Sequence, residues 1–282
     1  METIRSVRTK VTTLLKEHGI HNPVKESELM IEKVLSCNRT FVLSNPEYPV
    51  SEKQLKELIE MSFLRCNSRI PLQYILGNEI FYGYHIDVGR GCLVPRPETE
   101  LLVENVLSKC NRGTFLDWGT GSGAISVALL GEAPGLSGVA VDRSPAALVW
   151  AWKNLKHNSV LDRCLVIHNC DPCRLPFRES SLDLIVSNPP YIQRIDIPEL
   201  MPEVLWHEPL IALDGGEDGL DYYYILLELA KKLLKKKGRI VLEIGGVRQK
   251  EILEKQSFAE LELEDIINDY SGISRIMSWV HV

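Results

Sequence analysis

The chain is predicted to be an α/β protein in which a parallel sheet covered by helices follows a small all-helical domain. Two observations predict this. Strand-like and helix-like patterns alternate from about residue 98 onward, whereas the text before residue 75 reads only as short helices. A third is permissive: 282 residues can bury one large core, or one large and one small, without disulfides or metals. The expected division is a helical bundle over 1–74, a β-hairpin connector over 75–97 and the α/β domain over 98–282.

In the first segment one helix is expected to end at Gly19, where glycine suits a left-handed C-terminal residue. A second is entered through Asn22-Pro23, with proline at the first helical position. A third is entered through Ser51 with Gln54 three residues on, a capping-box spacing, and Leu55, Leu58 and Ile59 are assigned to its apolar face. The bundle is expected to serve as a lid or a partner-docking module. Residues 81–94 alternate in polarity and are punctuated by glycines, the pattern of a hairpin. Strands are then expected at 115–117, 139–142, 165–168 and 182–186, with helices at 124–130 and 146–154 between them; the tail adds strands at 240–244 and 275–280.

Composition narrows the function classes. With 45% hydrophobic and 25% charged residues the chain is neither disordered nor fibrous. Apolar runs such as 124–130 fall far short of the roughly 20 residues that span a bilayer. Charges at Glu2, Arg5, Arg8 and Lys10 interrupt any secretory signal, so a cytoplasmic protein without membrane contact is expected. Seven scattered cysteines suit reduced thiols. Cys170 and Cys173 have metal-ligand spacing but no second pair to complete a tetrahedral site, so no metal is expected. A net charge of −6 disfavours direct nucleic-acid binding, and the basic run 231–239 is assigned to the end of an amphipathic helix, where cations complement the helix dipole. The chain is expected to act as a monomer.

Two motifs carry chemistry. Asp117-Trp118-Gly119-Thr120-Gly121-Ser122-Gly123 follows a short apolar strand and runs into a helix. Such a turn lets backbone approach a ligand closely and aims free amide groups at it, which serves dinucleotide and methionine-nucleoside cofactors alike. About 20 residues on, Asp142 ends the next strand, where a carboxylate can accept both ribose hydroxyls or simply cap the helix entered through Ser144-Pro145. Asp171, with Pro172 beside it, follows the third strand and is assigned to the adenine edge.

The fourth strand stops at Asn188-Pro189-Pro190-Tyr191, and this tetrapeptide favours a methyl donor over a nicotinamide. An amide nitrogen is a poor nucleophile because its lone pair is delocalised into the carbonyl. The Asn188 side-chain oxygen and the Pro189 carbonyl can each take one hydrogen of an NH2 group, while prolines stiffen the turn that presents them. Tyr191 offers a flat face to a planar group. Placement and preorganised dipoles then supply most of the acceleration, and no base is needed before attack. The catalytic assignments are therefore Asn188, Pro189 and Tyr191, with Pro190 as a further substrate contact.

With these residues in view the sequence closely resembles the glutamine methyltransferases of peptide-chain release factors, the HemK/PrmC type. The resemblance extends over Pro71-Leu-Gln-Tyr-Ile-Leu-Gly77, Pro95-Arg-Pro-Glu-Thr-Glu100, His207-Glu-Pro209, Gly215-Gly-Glu-Asp-Gly219 and Leu242-Glu-Ile-Gly245, and so nearly the whole chain. It implies a seven-stranded Rossmann-like class I S-adenosylmethionine-dependent methyltransferase domain behind an N-terminal helical domain. The implied substrate is the glutamine of a Gly-Gly-Gln loop on class I release factors. Carried over by motif, Gly119, Thr120, Gly121, Ser122, Gly123, Asp142, Asp171 and Pro172 are cofactor contacts, Asn188 is shared between cofactor and substrate, and Pro189, Pro190 and Tyr191 are substrate contacts. Arg96 and Glu98 shape the pocket mouth or form a structural ion pair, and His207 is structural or catalytic. Trp118 departs from the small aliphatic residue usual after Asp117, and Cys170 from the glycine or serine that often precedes Asp171.

The alternatives are ribosomal-protein glutamine methylation and, further off, an exocyclic-amine methyltransferase of nucleic acid, which would need a basic surface and base flipping. A non-catalytic cofactor sensor or a dehydrogenase would also suit the glycine turn, but Asn188 and Tyr191 argue against the first and the lack of a hydride-transfer site against the second.

Overall fold

The computed structural model describes residues 2–169 and 175–282 and divides the chain into two compact units. The first comprises Met1–Gly77 with Met201–His207, the second Asn78–Leu200 with Glu208–Val282.

In the first unit β1 (Glu2–Thr3) leads into α1 (Ile4–Glu17), followed by α2 (Pro23–Leu35), α3 (Arg39–Ser44), β2 (Pro49–Val50), α4 (Glu52–Asn67) and α5 (Leu72–Leu76). Strands β1 and β2 pair antiparallel. Capping boxes start α1 at Thr3 with Ser6 and α4 at Ser51 with Gln54, and Pro23 opens α2. Gly19, at φ 68°, follows the end of α1. Ile4, Val7, Val11 and Leu15 form the buried stripe of α1 and meet Met30, Ile31 and Leu58 in one core. On α4 the buried face is Leu58, Met61, Ser62 and Arg65, and Ile59 is 59% exposed. Leu58 and Ile59 are a 100° step apart, so the face built on Leu58 continues at 61, 62 and 65 and leaves Ile59 outside.

The helix Pro202–His207 belongs to this unit although it lies far along the chain. Glu203 accepts from Arg65 Nη1 at 2.8 Å and pairs with Arg69 at 2.7 Å, while Arg65 holds Glu26 through Nε at 2.7 Å and Nη2 at 2.9 Å. His207 Nε2 donates to the Ser68 carbonyl at 2.7 Å, the structural of its two assigned roles.

The second unit opens with β3 (Asn78–Phe81) and β4 (Tyr84–Asp87), a hairpin turning on Tyr82 and Gly83 at φ 50° and 80°. Both turn residues are left-handed, as a two-residue turn matching the strand twist requires, and this sets the hairpin earlier than the expected 81–94. Then come α6 (Glu100–Lys109), β5 (Arg112–Trp118), α7 (Ala124–Glu132), β6 (Gly135–Asp142), α8 (Pro145–His157), β7 (Cys164–His168) and β8 (Leu182–Ser187). After α9 (Pro202–His207), already assigned to the first unit, follow α10 (Asp221–Leu233), β9 (Leu234–Glu243), α11 (Val247–Lys255), β10 (Leu261–Asn268) and β11 (Ser274–His281).

The seven-stranded sheet has the order β10-β11-β9-β8-β5-β6-β7. Strands β7, β6, β5, β8 and β9 are parallel, but β11 runs antiparallel to both β9 and β10. The strands of the tail thus add an antiparallel edge to the parallel sheet. Residues 269–273 are too few for a crossover, so the last two strands form a hairpin and β11 slots beside β9. The basic run is also divided: Lys231 and Lys232 end α10, while Lys235, Lys236, Lys237 and Arg239 lie on β9, with Lys235 on Asp183 and Arg239 on Glu264. Strand order reverses between β5 and β8, and ligands of open α/β sheets bind at the carboxyl ends of strands at such a point.

Candidate active site

Both functional motifs emerge at that reversal. Beyond β5 the amides of Gly119 and Thr120 donate to the Val141 carbonyl of β6 at 2.8 and 3.0 Å, which folds the turn over the sheet end. Gly119 and Gly121 take φ 71° and 57°, a region other residues seldom adopt, and a Cβ on either would meet nothing closer than 4.0 Å. The outer side of the turn is thus an open shelf. Gly123, at φ 80°, has a second reason to be glycine: its Cβ would lie 3.0 Å from Ala151 Cα, so it lets α7 pack against α8.

Beneath the shelf the Asp117 carboxyl is wholly buried, and Oδ2 accepts from Thr120 Oγ1 at 2.7 Å and Ser126 Oγ at 2.6 Å while Oδ1 has no partner. Burial pushes this carboxyl up to about 6 against those two bonds. At the end of β6 Asp142 accepts from the Gly121 amide at 2.9 Å and the Ser144 amide at 2.8 Å, so it ties the glycine turn to the start of α8. Burial raises the Asp142 carboxyl, in opposition to its backbone bonds.

Strand β8 delivers the second motif. The Ser187 hydroxyl donates to the Trp118 carbonyl at 2.6 Å and joins the two strands at the reversal. Asn188 Nδ2 donates to Thr99 Oγ1 at 3.1 Å, and the Thr99 hydroxyl donates to Glu243 Oε2 at 2.5 Å. Gln249 Nε2 donates to the Tyr191 carbonyl at 3.0 Å. Glycines let neighbouring backbone reach this turn: Cβ atoms on Gly215, Gly219 and Gly245 would fall 2.8 Å from Pro190 O, 2.5 Å from Tyr191 O and 2.8 Å from Tyr191 Cδ2. The Gly-rich motif at 215–219 and the glycine closing 242–245 are therefore the mould around Asn-Pro-Pro-Tyr. Tyr191 packs on the core, and burial pushes its phenol well up.

The cavity between the motifs has an empty volume of about 1050 Å³, open mouth included. Among the predicted site residues Gly119, Thr120, Gly121, Ser122, Asp142, Asn188 and Pro190 line it, and Gly123, Pro189 and Tyr191 do not. Asp171 and Pro172 lie outside the described residues, as does the Cys170/Cys173 pair. Arg96 pairs with buried Glu208, and neither Arg96 nor Glu98 is a lining residue. Wall residues left unassigned in the sequence include Thr99 and Tyr222, whose ring centroid is 5.4 Å from that of Trp118. The position of Thr99 within Pro-Arg-Pro-Glu-Thr-Glu was a usable signal. Tyr222 carried none, because only the placement of α10 brings it to the mouth. Among the described residues no group of three or more His, Cys, Asp and Glu could hold a metal ion, and no helix is long and apolar enough to cross a membrane.

An open glycine shelf, a carboxylate at its edge and an apolar wall of Trp118, Ile125 and Val141 fit a nucleoside that carries a charged amino-acid tail. Residues 96–208 match the family described as methyltransferase small domain, and residues 6–77 match the PrmC N-terminal domain. In fold the chain is similar to the catalytic domain of hMettl16, solved in complex with MAT2A 3′UTR hairpin 6, at a TM-score of 0.52 and 17% identity over 81% of this chain and 82% of that one. The second unit is accordingly an S-adenosylmethionine-dependent methyltransferase domain.

Whole-chain similarity is narrower. A protein of Clostridium acetobutylicum named release factor glutamine methyltransferase is 35% identical over 97% of this chain and 97% of its own, and one of the same name from Thermodesulfovibrio yellowstonii is 37% identical over 90% and 91%. The chain belongs to the release factor glutamine methyltransferase family.

Proposed function

We propose that the protein transfers a methyl group from S-adenosylmethionine to the side-chain amide nitrogen of the glutamine in the Gly-Gly-Gln loop of class I peptide-chain release factors. The observation that carries this is Asn188: its Nδ2 is engaged by Thr99, which leaves Oδ1 as an acceptor on the cavity wall for an incoming amide. Whole-chain kinship to enzymes named for that substrate selects the release factor over other planar NH2 groups.

S-adenosylmethionine supplies, when bound, an electrophilic methyl on a sulfonium. Gly119, Thr120, Gly121 and Ser122 would form its shelf, and Asp142 would accept its ribose hydroxyls. Asn188 Oδ1 and the Pro189 carbonyl hold the two amide hydrogens, Pro190 fixes the plane of the group, and Tyr191, packed on the core, backs the turn that presents them. The lone pair is thereby directed to the methyl, and the gain is one of placement and preorganised dipoles. The N–CH3 bond would form as the S–CH3 bond breaks, releasing S-adenosylhomocysteine, and the nitrogen, made acidic by the methyl, would then give its proton to water.

The first unit docks the release factor: every described residue lining the cavity lies in the second unit, which leaves the helical unit for recognition beyond the glutamine. The protein works in the cytoplasm as a monomer, without direct contact to nucleic acid or membrane, in keeping with its net charge of −6.

Mass spectrometry of an intact release factor incubated with the protein and donor tests this reading. One added methyl, absent when the loop glutamine is replaced, is the expected result. No gain on the factor, with gain on ribosomal protein or nucleic acid, would overturn it. Within the same reading, Asp142→Ala is expected to weaken donor binding about 10- to 100-fold, the loss of charged hydrogen bonds to the ribose, as followed by calorimetry. An unchanged dissociation constant would remove Asp142 from the donor site.

A further inference from the structure

We propose that Thr99, backed by Glu243, is a positioning residue that sets which end of the Asn188 side-chain amide faces the substrate. The inference rests on the proposed role of Asn188 and adds to it a reason for the amide's orientation.

An asparagine amide is nearly symmetric in shape but opposite in chemistry at its two ends: oxygen only accepts, nitrogen only donates. A substrate NH2 needs the oxygen. If the amide turned over, two NH2 groups would confront each other and the nucleophile would be left unheld. Nothing in the Asn-Pro-Pro-Tyr turn itself decides between these arrangements.

The decision comes from outside the motif. Thr99, 4% exposed, lies on the cavity wall, and Glu243, 1% exposed, ends β9. An ionised carboxylate can only accept, so the Thr99 hydroxyl gives its one proton to Glu243 Oε2 at 2.5 Å. Thr99 Oγ1 then has only lone pairs to present. Asn188 answers with Nδ2 at 3.1 Å, and Oδ1 is left for the substrate. Polarity thus passes in one direction, from a buried charge through a hydroxyl to an amide.

The same chain of donors implies a pH dependence with a definite sign. Burial raises the Glu243 carboxyl to about 7; the Thr99 bond lowers it, Glu98 raises it, and Arg275 and Arg96 lower it. Tyr191 and Tyr223 are further titratable side chains facing it, and the Tyr223 hydroxyl donates to its backbone carbonyl at 2.9 Å. Below that pH a protonated Glu243 can donate to Thr99, which frees the hydroxyl proton for Asn188 Oδ1 and favours the inverted amide. Turnover therefore falls as pH drops through the neutral range.

Thr99→Val keeps the shape and removes both hydrogen bonds. It is expected to lower kcat about 10- to 100-fold with donor affinity within about threefold of the parent, and Thr99→Ser should recover most of the loss. Glu243→Gln should flatten the acid limb of the pH profile. A purely structural Thr99 would move neither the split between kcat and donor affinity nor that limb.

An independent arm needs no release factor. The side-chain NH2 resonances of Asn188, assigned by their loss in Asn188→Asp, should shift with pH around neutrality in the parent and stay flat in Thr99→Val and Glu243→Gln. If the parent leaves release factor unmethylated, the functional reading fails and the resonances still decide the relay. Parent-like kcat and parent-like resonances in Thr99→Val would overturn the proposal.

Discussion

Asn188→Ala is expected to lower turnover of the release factor about 100- to 1000-fold while donor affinity stays within about threefold, the range seen when one preorganised polar group is taken from a reacting centre. Asn188 Oδ1 is the acceptor on the cavity wall left unspent by the Thr99 contact, and one of only two acceptors assigned to the substrate amide. Its loss leaves the NH2 group tethered by the Pro189 carbonyl alone, free to rotate about that bond. The misplacement affects the reacting geometry more than binding, because the docking proposed for the first unit does not involve Asn188. Single-turnover kinetics and calorimetry on the same variant separate the two effects. Parent-like turnover would take Asn188 out of the chemistry, and an equal loss of donor affinity would make it chiefly a cofactor residue.

In the first unit Arg65→Ala is expected to be the most damaging single change, at about 3–5 kcal/mol, the usual penalty for removing one member of a buried ionic group. Arg65 is 7% exposed and holds two carboxylates, Glu26 of α2 and Glu203 of α9. Glu203 retains Arg69 at 2.7 Å, but Glu26 loses both of its bonds from Arg65. The guanidinium also donates to the Ile70 carbonyl at 3.4 Å. Arg65→Lys should recover only part of the loss, because a point charge cannot serve these directions at once. Hydrogen exchange in the full chain is the readout: amides of α2 and α4 should lose protection by the stated amount. A loss below about 1 kcal/mol would mean the three charges are solvated well enough to be replaceable.

The segment 201–207 also marks the limit of what sequence patterns disclose. Capping residues Ser51 and Gln54, the proline at 23 and Gly19 placed three helices of the first unit from local chemistry alone, because caps satisfy backbone groups within a few residues. Nothing local announces that Glu203 will meet Arg65, 138 residues earlier. Ile59 is a smaller case: its apolar character was visible, but its side of the helix depended on which neighbours defined the buried face.

For the site, the sequence by itself determined the two motifs and their order. Gly119 and Gly121 must be glycine because of their backbone angles, and Asn188 precedes two prolines at a strand end; both facts are local. It also carried the family, since Pro95–Glu100, 215–219 and 242–245 were legible as text. Only the tertiary structure decided what those last segments do. Strand order puts β5 beside β8, so that two motifs 65 residues or more apart share one cavity. The glycines at 215, 219 and 245 proved to be clearances for the Pro190–Tyr191 backbone and ring. Thr99 and Glu243, from different ends of the domain, close on Asn188 to orient its amide. Hydrogen bonds and steric clearances between distant segments depend on three-dimensional distance, which periodicity and spacing along a chain do not encode.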